Sequence, residues 1–343
     1  MLLWLAGVIA WFFLVEKQLF FSRALLLQAT IFIAVFTVIG RMAIVLMQRA
    51  FLRRGIGVRR VVSCGSLPLS PSVALSLQRD PRFRFIRGDV RDARAVEGAV
   101  AGQDGIVHLA AVVGFGACNA DPARAESLNV GGTQTLLAAR QRGQLVLYAS
   151  TGSVYGSVPG GLCTEDVDPA PLSLYGRTKL QAERLVLDAG DSVAFRFATA
   201  FGMSPRMRVD LLINEFVYSA RRRGYVVVYD RSARRTFIHV RDMARALLFG
   251  FERSATLLGR VFNTGSERLN LTKDEIATRL MARQTYFLTY GPVGTDQDRR
   301  DYAVSYSRIR AEGFDTSVDI DEGLDELLRG IDLLHFQSPY GNA

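Results

Sequence analysis

Three side chains stand at spacings that suit proton and hydride chemistry. Tyr175 and Lys179 lie four residues apart in "LYGRTKLQAERL", so a helix would place them on one face. Thr151 closes the apolar run "LVLYAST", read as a strand whose end opens into the crevice where α/β sheets bind ligands. Removing a hydride from a carbinol carbon also requires removing the hydroxyl proton. A tyrosine is a poor base at neutral pH until a neighbouring ammonium favours its phenolate. Thr151 can hydrogen-bond the reacting oxygen and relay the proton. The chain has only three lysines, Lys17, Lys179 and Lys273, among 42 basic residues. A lysine kept at this position in an arginine-rich chain favours a chemical role, because arginine could not tune the tyrosine in the same way.

The elements that would position these residues read as alternating strands and helices. "FRFIRGDV" reads as a strand, "DARAVEGAVAG" as a short helix and "GIVHLAAVV" as a buried strand. "AESLNVGGTQTLLAARQRG" reads as a helix and "LVLYAST" as a strand. "SLYGRTKLQAERLVLDAG" reads as a long helix ending at Gly190, and "VAFRFATAFG" as a strand. Apolar strands separated by helices predict a doubly wound, Rossmann-like parallel sheet of the α/β class. Beyond residue 203 the texture is more mixed, which predicts a small C-terminal substrate lobe.

Composition narrows the function. Three scattered histidines and three cysteines without ligand-like spacing predict no metal site and reduced thiols. His108 and His239 are expected to be structural. The net charge of +9 is not a nucleic-acid signal, and no nucleic-acid partner is expected. Between residues 17 and 79 there is no Asp or Glu but nine Lys and Arg, so the excess flanks the apolar N-terminus. Residues 1–15, "MLLWLAGVIAWFFLV", are uninterrupted apolar, and residues 24–40, "ALLLQATIFIAVFTVIG", are nearly so. The second segment is long enough to span a bilayer, and arginines following it predict a cytoplasmic body. One or two N-terminal membrane helices are therefore expected, at the bacterial inner membrane with the body on its cytoplasmic face. The stretch "FFSRALLLQATIFIAVFTVIGRMAIVLMQRAFLRRGIGVRRVV" resembles the last membrane helix of the polyprenyl-phosphate sugar-phosphate transferases, over about residues 19–66. It does not extend to that family's catalytic domain and implies no transferase activity.

Over about residues 73–332 the motifs, in their order, resemble the extended short-chain dehydrogenases/reductases of the NAD-dependent nucleotide-sugar epimerase/dehydratase group, in the manner of UDP-glucose 4-epimerases. The resemblance implies NAD as cofactor and a nucleotide-diphosphate sugar as substrate. It implies that Asp89 and Val90 of "RFRFIRGDVRD" contact adenine, and that Leu109, Ala110 and Ala111 of "IVHLAAVVG" line the cofactor site. It carries Asn129 of "NVGGTQTLL" and the Tyr175–Lys179 pair to the cofactor as well. Thr199 of "RFATAFG" falls near the sugar, Arg235 of "RRTFIHVRDMARA" on the diphosphate, and Arg300 of "QDRRDY" likewise, with Arg299 as its alternative. Family members often pair through the tyrosine-bearing helix, which implies a homodimer. Sugar 4,6-dehydratases of the family resemble "STDEVYG" at the strand end, where this chain has Gly152 and Ser153. Without a carboxyl group there, elimination lacks its acid, and epimerisation in surface polysaccharide synthesis is the better expectation. A sugar-nucleotide dehydrogenase or reductase remains an alternative.

One feature of that group is missing. "VRRVVSCGSLPLSPS" (58–72) stands where a glycine-rich phosphate loop should follow the first strand, and it offers a single Gly65. From Gly65 to Asp89 there is room for one βα unit where two are expected, so the sheet is expected to lack part of its first βαβ unit. "VVSCGS" could substitute for the first strand of a weakened NAD site. Alternatively the chain is a catalytically impaired, membrane-tethered nucleotide-sugar binder, or a fusion or deletion product whose sheet lacks an element. The expected organisation is a membrane anchor with its basic exit over 1–60, a truncated NAD-binding domain over 61–202 and an interleaved nucleotide-sugar lobe over 203–343.

Overall fold

The structure, a computed structural model, describes residues 20–53, 60–65, 86–156, 162–204, 207–291 and 302–333. The chain divides into two compact units, Met1–Val58 and Arg59–Ala343.

The first unit contains one described helix, α1 (Phe20–Arg53), of 34 residues. At 1.5 Å per residue it is about 50 Å long, more than a hydrocarbon core is thick. Its stretch Thr30–Met47 is long and apolar enough to cross a membrane. Ile31, Phe32, Phe36, Val38, Ile39 and Met42 are all more than half exposed. The helix runs straight through Gly40 and Arg41, so the second apolar segment and "MAIVLM" belong to one element. The apolar segment 1–15 lies outside the described residues.

In the second unit, five parallel strands form the main sheet: β1 (Val61–Cys64), β2 (Gly105–His108), β3 (Leu145–Thr151), β5 (Ser192–Phe197) and β9 (Arg260–Thr264), side by side in that order. Helices α2 (Ala93–Val100), α5 (Gly132–Ala139) and α6 (Leu174–Asp188) cover one face. Alternation along β3 divides the core: Val146 and Tyr148 pack with Leu136, Ala182 and Val186 on that face, while Leu145 and Leu147 point to the other. There they meet Ala246 of α8 (Val240–Glu252) and Ile309 of α11 (Ser307–Ala311). Near-continuous burial along β2, β3 and β5 follows from helices on both faces.

The predicted strand "VAFRFATAFG" is broken at Ala198. Its first part is β5; its second is β6 (Thr199–Phe201), which joins a separate sheet ordered β10 (Asn270–Thr272), β8 (Arg234–His239), β6. A separate core around Phe201, Phe216, Phe237 and Leu324 fills this lobe. The pair β7 (Tyr225–Val228) with β11 (Phe287–Tyr290) completes it, while β4 (Leu162–Cys163) with β12 (Ala303–Val304) adds Cys163 and Val304 to the core of the main sheet.

Two expectations change. The last described residues of "FRFIRGDV", 86–89, carry no strand, because among the described residues no ladder partner flanks them. The expected helix over 125–143 is interrupted: α4 (Pro122–Glu126) passes through a π-turn at Ser127–Gly131 before α5 begins, and its N-cap is Asp121. The strand at "VVSC" forms as expected. It pairs in parallel with β2, Cys64 opposite His108, and so occupies the position from which a doubly wound sheet would begin.

Gly156 closes the turn after β3 at φ +69°, and a Cβ there would lie 1.9 Å from the Ala170 carbonyl oxygen. Gly156→Ala is therefore expected to lower unfolding stability by at least about 1–3 kcal/mol, read from denaturant unfolding of the full chain in detergent.

Candidate active site

The site is assembled where β3 ends. Thr151 Oγ1 accepts the Ser153 amide at 3.2 Å and lies 3.2 Å from Ser153 Oγ, which fixes the turn Gly152–Val154. Ser173 caps α6 by accepting the Gly176 amide at 3.1 Å. That first turn of α6 comes unusually close to the strand end: a Cβ on Gly176 would lie 2.7 Å from the Ser153 carbonyl oxygen. Only glycine permits the approach, and its neighbour Tyr175 is thereby held beside the Thr151 turn, half-buried.

Lys179 lies one turn further along α6 and is 3% exposed. Its ammonium sits 4.0 Å from the centre of the fully buried Tyr148 ring, a cation–π contact. Burial pushes the Lys179 pKa down to about 7; the Glu183 carboxylate and Cys118 oppose that shift without cancelling it. His108 is buried below. Thr133 donates its hydroxyl to the Asn129 carbonyl at 2.6 Å, so the 2.9 Å contact between His108 Nε2 and Thr133 Oγ1 makes Nε2 the donor. Burial, reinforced by the Lys179 charge, lowers its pKa to about 3 and keeps the ring neutral, which suits a structural role.

Asn129, in the π-turn, ties the neighbouring elements together. Its Oδ1 accepts the Val112 amide at 2.7 Å, and its Nδ2 donates to the Val112 carbonyl at 3.1 Å and to Thr178 Oγ1 at 3.0 Å. The segment leaving β2 is thus fixed against α6. Ala110 and Ala111 on that segment are buried, while Leu109 and Val113 remain 38% and 36% exposed as an apolar rim. Of the three residues expected to line the cofactor site, only Leu109 therefore presents an exposed side chain. Asp89 accepts from the Arg91 guanidinium at 2.6 Å, and this bond lowers its pKa to about 2. Arg91 also donates to Ser127 Oγ at 3.3 Å, and Val90 packs against Gly132, which places both residues beside the π-turn.

Thr199 starts two residues beyond Phe197, the residue paired in register with Thr151. It is half-buried and pairs with Phe237; Arg235, also half-buried, is two residues along the same strand. The two sheets are linked by a segment that sequence reasoning did not single out. Tyr302 donates to the Gly152 carbonyl at 2.7 Å, and Tyr306 bonds Thr236, next to Arg235. Arg299 and Arg300 lie outside the described residues. Tyr148, Glu183 and Arg196 were also not anticipated; they sat inside apolar or helical runs, where a polar residue carries no spacing signal. Among the described residues no cluster of side chains could hold a metal.

These residues fit a dinucleotide. An ammonium donor and a phenol on α6, an apolar rim at Leu109 and Val113, and an acidic acceptor at Asp89 line the C-terminal side of a parallel sheet. Lys179 and Tyr175 would hold the nicotinamide ribose, and Asp89 and Val90 the adenine end. The stretch after Gly65, where the diphosphate loop would run, lies outside the described residues.

A doubly wound sheet carrying a Tyr–Lys pair beside a Thr-ended strand has the architecture of a dinucleotide-binding protein of the Rossmann class. Residues 47–265 match the model of the NAD dependent epimerase/dehydratase family. A dTDP-glucose 4,6-dehydratase of Streptomyces griseus is 33% identical over 270 residues, covering 74% of this chain and 79% of that protein. The structure of MoeE5 in complex with UDP-glucose and NAD is similar at TM-score 0.67 and 26% identity, over 80% of this chain and 99% of that one. UDP-glucuronic acid 4-epimerase from Bacillus cereus, in complex with UDP-glucuronic acid and NAD, shares the fold at TM-score 0.71 and 23% identity, over 84% and 95% of the two chains. The chain belongs to the NAD-dependent epimerase/dehydratase family, and its cofactor is NAD.

The Lys179 shift has a pH signature. The native state releases this proton near pH 7, whereas the unfolded chain keeps it to the ordinary value of 10.5. Between those values the unfolded state binds more protons, so stability rises with pH. Unfolding free energies of wild type and Lys179→Met, measured from pH 6 to 10.5, should converge on each other's slope only outside that window. Within it, wild type alone should gain stability.

Proposed function

We propose that this chain epimerises a nucleotide-diphosphate sugar at the sugar's C4 position. The observation that carries this reading is the turn Gly152–Ser153. It stands directly after Thr151 and holds no carboxyl group, and Gly152 uses its carbonyl to accept the Tyr302 hydroxyl. The buried carboxylates on the surrounding elements are engaged elsewhere. Glu183 binds Arg196 and Ser150, and Glu165 accepts the Asn263 amide at 2.8 Å. Elimination of water needs an acid at the leaving hydroxyl, and this turn supplies none.

Epimerisation requires less of the protein. Tyr175, favoured as phenolate by the adjacent Lys179 ammonium, takes the C4 hydroxyl proton, and Thr151 donates a hydrogen bond to that oxygen. Bound NAD supplies the hydride acceptor and ends the cycle unchanged. Tyr175 then returns the proton after the keto-sugar has turned over within the site. Thr199 lies beside the strand end that carries Thr151. Arg235, and Arg300 from the late arginine motif, are assigned to the diphosphate of the substrate.

The same reading places the protein at the bacterial inner membrane, its body on the cytoplasmic face, acting in surface polysaccharide synthesis. The support is α1, with its exposed apolar surface, and the nine basic residues around it without an acidic one. Pairing of two chains through the α6 face belongs to the same proposal.

The decisive experiment offers UDP- and dTDP-hexoses to detergent-purified full chain in deuterated water and follows them by proton NMR. Interconversion of C4 epimers without solvent deuterium in the sugar is expected. A 4-keto-6-deoxy product with deuterium at C5 would identify a dehydratase instead, and stoichiometric reduced cofactor a dehydrogenase. Tyr175→Phe should slow the reaction about 10²–10⁴-fold while nucleotide-sugar binding persists. In membrane fractions, the full chain should resist alkaline extraction; release into the wash would remove the membrane part of the proposal.

A further inference from the structure

Ser150, Arg196 and Asn263 are register partners on three neighbouring strands, forming one polar row across the face that α6 covers. The row beneath it is Tyr148, Ala194 and Val261. Glu183 reaches the polar row from α6, one turn beyond Lys179 and two beyond Tyr175. Both carboxylate oxygens are held: Oε2 by Ser150 Oγ at 2.5 Å, and Oε1 by Arg196 Nη2 at 2.6 Å, with Arg196 Nε bridging the two. Arg196 Nη1 donates to the Tyr155 hydroxyl at 2.9 Å, which donates onward to Asn263 Oδ1 at 2.7 Å. Arg196 and Glu183 expose only 5% and 2% of their side chains.

A buried ion pair of this kind contributes little to stability compared with an apolar pair of equal volume. Its position says what it does. Ser150 immediately precedes Thr151, and Tyr155 immediately follows the turn Gly152–Val154, so the pair grips both ends of the segment that carries Thr151. On the helix side it is the carboxylate nearest in sequence to Lys179 on the same face. The groups around this pair and Lys179 are Tyr175 from α6, Tyr148 and Ser150 from β3, Tyr155 from the turn with Asn263 of β9 behind it, and, on the Lys179 side, His108 from β2 and Cys118 from α3 (Phe115–Ala120). Arg196 and Lys179 are the cations of this cluster; His108 is held neutral, and burial raises the Cys118 thiol to about 11 and the Tyr155 phenol to about 12.

We propose that Glu183, oriented by Arg196 and Ser150, is a positioning residue of the hydride-transfer site: it is the buried counter-charge for the Lys179 ammonium and locks α6 to the Thr151 turn. The proposal rests on the assignment of Lys179 to that site. Its test reads Lys179 directly, so it can fail while the assignment stands; failure of the assignment shows separately, as turnover left unchanged by Tyr175→Phe.

Three lysines make the measurement simple. Full chain labelled with [13Cε]lysine in detergent gives three resonances, assigned with Lys17→Arg and Lys273→Arg, and each is titrated. Removing the carboxylate charge in Glu183→Gln should lower the Lys179 midpoint by about one pH unit or more. Removing the opposing charge in Arg196→Gln should raise it. Shifts of opposite sign cannot come from general loosening of the core, which would move both variants the same way. Should Glu183→Gln fail to fold, Arg196→Lys supplies the control: it disturbs the packing but keeps the charge, so its Lys179 midpoint should stay near that of wild type while Arg196→Gln rises, and an equal rise in both overturns the proposal. An unmoved midpoint in folded Glu183→Gln or Arg196→Gln, or shifts of the same sign in these two, also overturns it.

Discussion

Burying one ammonium is the constraint on which the site depends. Lys179 is removed from water, and the surroundings must make that tolerable without a full-strength salt bridge of its own. The Tyr148 ring offers its negative face, the Glu183 carboxylate lies one turn away, and a neutral His108 lies beneath. Each choice is a compromise. A carboxylate bonded directly to Lys179 would hold the charge more firmly, but in the proposed mechanism it would also screen that charge from Tyr175. Placing the carboxylate on Arg196 instead leaves the ammonium over the Tyr148 ring.

That arrangement explains why the strand end, the helix and the π-turn are bound so tightly. Charge effects of this size fall away over a few ångströms, so α6 must keep its distance from β3. Gly176 sets the approach at one end, and the Glu183 bonds set it at the other. Asn129 holds the third side by joining Val112 to Thr178. The extra residue of the π-turn is what aims Asn129 at both partners, and such turns are often found at functional sites.

Much of this was legible in the sequence because period and punctuation carry it. The helix over Leu174–Asp188 announces itself by Ser173, its apolar stripe and Gly190, and the buried strands by uninterrupted apolar runs. Tyr175, Lys179 and Thr151 were singled out by spacing together with the scarcity of lysine, and the fold puts the pair on one helix and Thr151 at a strand end. The clamp could not be read in this way. Ser150, Arg196 and Asn263 follow one another at separations of 46 and 67 residues and meet only through strand register, which a single sequence does not display. The π-turn was missed for a related reason: "ESLNVGG" satisfies a helical pattern, and a one-residue bulge leaves that pattern almost unchanged. The break at Ala198 was missed because both halves of "VAFRFATAFG" are extended and apolar, so nothing in the residues marks the change of sheet.

The missing glycine loop acquires a physical shape as well. β1 holds the register of a first strand, Cys64 opposite His108, and the Leu109 amide bonds the Cys64 carbonyl at 2.7 Å. The crevice wall at the end of β2 is therefore built as it would be in a complete sheet. The adenine side is held differently. Residues 86–89 have no ladder among the described residues. Asp89 is fixed by short-range bonds: Asp92 caps α2, Arg91 bridges Asp89 to Ser127, and Val90 fills the notch over Gly132. Side-chain bonds at a half-exposed position hold less firmly than a buried ladder, because water competes for every one of them. The described residues thus keep Lys179 and the end of β3 buried, while Asp89 is held by contacts that solvent can exchange.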